Sequence, residues 1–142
     1  MWLDTEPVIG QAAAPVIVDR LSTQYPSVAA AIEGLPIERL GDVVRVVAFA
    51  AARSCAVDEE CRLAADPSAL VVNLDEIAWE AQEGGDGVRY ETEFRRARAA
   101  DAWARSMGSV DRESAAEALY EAIHAFGGGA KAESIVVRLI HA

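Results

Sequence analysis

Glu113, Glu117 and Glu121 recur at four-residue intervals, and His124 follows three residues later. On one helix these side chains share a face. Glu121 and His124 have the Glu-x-x-His spacing with which one helix of a bundle presents two ligands to a transition metal. Such a centre also needs a second pair of that kind and two more carboxylates. The only other histidine, His141, has Arg138 at the matching position. A metal centre of Glu117, Glu121 and His124 would therefore require a second copy of the chain, as a homodimer. The competing expectation is a solvated face, because these residues lie opposite the Leu119/Ile123 stripe. There His124, near a helix C-terminus, gains from the helix dipole and from Glu121.

Glu76, Glu80 and Glu83 form a second acidic ladder. Glu80 and Glu83 resemble half of the carboxylate motif with which all-α nucleotide pyrophosphatases hold Mg²⁺. The downstream Glu-x-x-Asp half is missing, since Asp101 is preceded at that spacing by Arg98 and Asp111 by Gly108. With half the ligands absent, no function carries over from that family.

Arg95, Arg98 and Arg105 fall on or near one helical face and are the one basic concentration in the chain. Guanidinium groups there suit a carboxylate, a phosphate or a partner's acidic patch. The intramolecular alternative is that the preceding acidic helix packs antiparallel, so that Glu76, Glu80 or Glu83 meets the arginines. Glu91 also sits four residues before Arg95, at ion-pair spacing.

Other chemistry fails on spacing. In "AFGGGAKAES" Lys131 follows Ala130 and Ser134 is not adjacent to it, so the phosphate-loop pattern is absent. Gly127 instead fits the left-handed position that ends a helix. Cys55 and Cys61 are six residues apart, and the two histidines complete no zinc pattern with them. A turn between the two cysteines would be needed for a disulfide. No Gly-x-Ser-x-Gly occurs. Trp2, Trp79 and Trp103 are expected as core or interface anchors.

The net charge is −10. From Ser54 to Thr92 there are ten acidic residues and two arginines. This balance disfavours nucleic acid and suits a basic protein partner. "MWLDTEP" has acids where a signal peptide needs basic residues. The longest apolar run, residues 46–52, is far short of the ~20 residues that span a bilayer. A cytoplasmic protein without membrane contact or cofactor is expected.

The elements that position these residues are helix-sized and divided by Pro and Gly. The 29 alanines favour helices that pack closely. Asp66 and Pro67 open the clearest helix, which Gly84 and Gly85 stop. A helix from about Tyr90 carries the stripe Tyr90, Phe94, Ala97, Ala100, Trp103 and Met107. Ser109 is the expected cap of the next helix. Residues ~36–56 lose their polar side after Arg45, which predicts a buried central helix. The expectation is a single all-α domain over residues 1–142, a bundle of six or seven helices around that centre. The alternative is an α+β fold with a small sheet from 15–18, 69–74 and 134–140, where short β-branched runs are ambiguous.

No catalysis is inferred. The first functional expectation is a protein-binding module of the immunity-protein, antitoxin, adaptor or assembly-subunit kind. Its candidate contacts are Asp75, Glu76, Glu80, Glu83, Asp86, Arg95 and Arg98. The alternative is the dimeric metal- or ligand-binding bundle built on Glu117, Glu121 and His124.

Overall fold

A computed structural model describes residues 15–142, with side chains from Arg20 onward. The described residues form eight helices and no strand. They are α1 (Pro15–Gln24), α2 (Pro26–Glu33), α3 (Ile37–Ser54), α4 (Asp58–Leu63), α5 (Pro67–Glu83), α6 (Gly87–Ser106), α7 (Arg112–Ala125) and α8 (Gly129–His141). The all-α bundle is as expected, with one helix more. The addition is α4, whose six residues are too few to show a periodicity. Trp2 and the N-terminal "MWLDTEP" lie outside the described residues.

The three segments assigned to an alternative sheet are all helical. In α8, Ala132, Val136 and Ile140 are buried at four-residue spacing, so the 3.6-residue period prevails over β-branching. Residues 69–74 are committed to helix by the turn before them. The Asp66 side chain accepts from the backbone N–H of Ser68 (3.1 Å) and Ala69 (3.4 Å), and Pro67 supplies a helical φ.

Caps and stops set the remaining boundaries. α7 is capped by Asp111, not Ser109. The Asp111 carboxylate accepts from Ser114 N–H at 2.8 Å, and the Ser114 hydroxyl accepts from Asp111 N–H at 2.9 Å. This reciprocal box satisfies two donors that a cap at Ser109 would leave open. After α7, Gly128 N–H reaches Ile123 O and Gly127 N–H reaches His124 O, with Gly127 at φ 106°. That is the left-handed stop expected there. Lys131 lies in the first turn of α8, and its side chain is exposed.

α5, α6 and α7 run antiparallel in succession. α3 lies against α6, α7 and α8, at the centre as expected, but it is buried along one face only. Leu40, Val43, Val44, Val47, Ala48, Ala51 and Ala52 are inside, whereas Val46 and Phe49 are exposed. α7 shares the central place, touching α1, α2, α3, α6 and α8. Its buried alanines, with Leu119 and Ile123, let neighbours approach from several sides. α5, in contrast, makes its extensive contact with α6 alone. Among the described residues no helix is long and apolar enough to cross a membrane.

Candidate functional site

α6 has an acidic helix on each side of it. Toward α7 the acids are matched, and Arg98 also reaches back to Asp75 of α5. Arg98 donates to both Asp75 carboxylate oxygens (2.7 and 2.9 Å), to Asp101 at 3.2 Å, and to Glu121. Arg105 donates to Asp101 at 3.1 Å and to Glu117. The side chains of Arg98 and Glu121 are only 16% and 12% exposed. The Glu face of α7 is thus not the solvated face expected from its pattern. Long arginine side chains on α6 reach across and enclose it.

The electrostatics of this lattice follow from burial and from an excess of carboxylates. Burial pushes Glu121 above the usual carboxylate range; Arg98 opposes the shift, and the negative charge of Asp101 adds to it. Burial alone would ease the proton off Arg98, but hydrogen bonds to Asp75 and the charges of Glu121 and Asp75 outweigh it and hold the guanidinium pKa up.

His124 is packed edge-on against Tyr120 (centroids 4.7 Å) and Tyr25 (6.2 Å). Burial, then the charges of Arg98 and Arg20, lower its pKa. Glu117 and Glu121 are each held by an arginine, and no group of three described His, Cys, Asp or Glu residues is placed to hold a metal ion. The two cysteines are free thiols. Burial raises the Cys55 pKa and pushes that of Cys61 up to about 11, so both stay protonated at neutral pH.

On its other side, α6 and α5 leave an open groove of about 650 Å³. Val72, Ala78 and Trp79 of α5 and Tyr90 and Phe94 of α6 form its apolar surface, and Asp75, Glu76, Glu80 and Glu83 line it as well. Trp79 and Val72 are each 59% exposed. Tyr90 and Phe94 lie with ring centroids 5.7 Å apart, and the Arg98 guanidinium covers Phe94 at 5.4 Å. Asp75 joins the groove to the lattice behind it.

The structure brings four of the seven expected contact residues, Asp75, Glu76, Glu80 and Glu83, to this groove. Asp86 stands at the α5–α6 turn, where it caps α6 by accepting from Arg89 N–H at 3.0 Å. Arg98 lies behind the groove. Arg95 turns away, its Nε donating to Ala125 O at the end of α7 (2.8 Å). Glu76, Glu80 and Glu83 do not meet the arginines. Their side chains form no ion pair or hydrogen bond with any described residue; on α5 it is Asp75 that takes Arg98, and on α7 Glu121 and Glu117 take Arg98 and Arg105.

Of the apolar half of the site, sequence reasoning named only Trp79, as a core or interface anchor. It placed Tyr90 and Phe94 on the apolar stripe of α6 without distinguishing them from its buried members, and both are only partly buried. The available signal was on α5: Val72, Glu76, Trp79 and Glu83 recur at three- and four-residue spacing, on a stripe separate from buried Leu74, Ala78 and Ala81.

Fold and site together define, among the described residues, a helical bundle with an acidic, aromatic-lined groove. The chain matches no protein-family model. Comparison with characterised proteins and with solved structures gives no significant match either.

Proposed function

We propose that this protein is a binding module that docks a basic protein partner in the α5/α6 groove. The carrying observation is Trp79, 59% exposed beside Glu76, Glu80 and Glu83, whose charges no described residue neutralises. Exposed apolar area costs about 25 cal/mol per Å² relative to burial. Adjacent like charges on one helix face also repel. A partner offering both apolar and cationic side chains relieves both costs at once, the pattern of an aromatic hot spot with complementary charge. Symmetric pairing of two grooves is disfavoured, since it would set one acidic rim against another.

The test is comparative capture with immobilised protein. Basic proteins retained by the wild type should be lost with Trp79→Ser and with Glu80→Lys, yet kept with Glu113→Lys on α7. Retention of the same set by all three variants would refute this role for the groove.

A further inference from the structure

We infer that the segment seated in this groove is a cationic amphipathic α-helix. The inference rests on the reading of the groove as a docking site and adds the partner's form.

α5 and α6 are an antiparallel pair whose outer member, α5, has no second extensive neighbour. Its inner stripe, Leu74, Ala78 and Ala81, is buried. Its outer stripe, with Val72 and Trp79, is exposed, while Tyr90 and Phe94 of α6 form the facing wall. Two helices with an open apolar seam between them leave the place of a third, at an interaxial distance of about 8–10 Å.

The length fits. Val72 to Glu83 spans about 16 Å along α5, three helical turns. Glu76, Glu80 and Glu83 are stepped by about 6 Å and 4.5 Å along that axis. Arginine or lysine at the same four- and three-residue steps of an opposing helix matches them in register, while an apolar stripe between the charges covers Trp79 and Val72.

Backbone chemistry also favours a helix over an extended peptide. The described residues form no strand, so this groove offers no sheet edge to a peptide backbone. An extended segment over Trp79 and Phe94 would lose water from amide groups and gain no partner for them. A helix arrives with those groups already paired.

The experiment titrates the full chain with a labelled peptide of about 18 residues. It carries Arg at four- and three-residue steps and Leu on the adjoining stripe. The control is the same peptide with two central residues outside the Arg and Leu positions replaced by proline. The helical peptide should bind at least about tenfold more tightly than the control, with a gain in helical circular dichroism on binding. Trp79→Ala, and separately the triple variant Glu76→Gln/Glu80→Gln/Glu83→Gln, should each weaken it about tenfold. Phe49→Ala, on the far side of α6, should leave it unchanged.

Equal binding of both peptides would overturn the helix inference and leave the basic-partner reading standing. Spermine binding as tightly as the peptide would also overturn it, because charge alone would then suffice. Binding of neither peptide, or loss in Phe49→Ala but not in Trp79→Ala, would overturn both.

Discussion

The two acidic faces beside α6 differ in their surroundings far more than in composition. Glu117 and Glu121 of α7 lie within reach of Arg105 and Arg98. Glu76, Glu80 and Glu83 of α5, two helices earlier in the chain, face open groove and solvent. In the first region the negative charge is a structural part of the helix packing. In the second it remains available to something outside the chain. A carboxylate ladder on a helix therefore does not announce its role, which depends on whether the next helix brings guanidiniums to it.

The sharpest way to break this contrast is Arg98→Ala. It strips Glu121, Asp101 and Asp75 of their shared cation, and removing one partner of a buried pair costs about 3 kcal/mol or more. Urea unfolding should show that loss, and a change under 1 kcal/mol would mean that the lattice is not structural. Arg105→Ala should cost less, about 0.5–1 kcal/mol, because that side chain is 40% exposed and water screens its pair with Glu117.

His124 sharpens the comparison through pH. Its folded-state pKa is lowered, by burial first and then by Arg98 and Arg20. The unfolded chain therefore binds the proton more readily. The contribution of the neutral imidazole is fully present above the unfolded value of about 6.5 and is lost as pH falls through the folded value. Unfolding free energy should decline on that limb, and His124→Gln should flatten the decline. Glu121 acts oppositely, since its folded pKa is raised. Its contribution is present below the ordinary glutamate value and lost as pH rises through the raised one, so Glu121→Gln should remove that alkaline-side loss.

The smallest effect is expected in the groove. The triple Glu76→Gln/Glu80→Gln/Glu83→Gln variant should be as stable as the wild type or more so, by about 0.5 kcal/mol at low salt, through relief of like-charge repulsion. The gain should vanish at high ionic strength. Destabilisation by more than 1 kcal/mol would show that these carboxylates, too, are structural.

The start of α5 at Asp66–Pro67 and its stop at Gly84–Gly85 were legible because caps and breakers act through neighbours in sequence. So was the Gly127 stop, which removed the phosphate-loop reading of the triple glycine. α4 was not legible, since it is short and follows a turn in which Ala56 takes φ 55°, a conformation its side chain does not advertise. The acidic half of the groove was anticipated residue by residue. Of its aromatic half only Trp79 was singled out, as a core or interface anchor, because an apolar stripe at helical spacing reads the same whether a neighbour covers it or not.

By itself, then, the sequence determined the helical class, most helix boundaries and the placing of an acidic ladder on α5 and on α7. These depend on propensity, capping and periodicity, all of which act within a few residues. Only the tertiary structure decided that Arg98 ties Asp75 of α5 to Glu121 of α7, that Arg105 serves α7, that Glu121 is enclosed, and that Trp79 stands uncovered among carboxylates. Those outcomes depend on which faces of α5, α6 and α7 meet across the bundle. Spacing along one helix says which side chains share a face, and says nothing of what that face will meet.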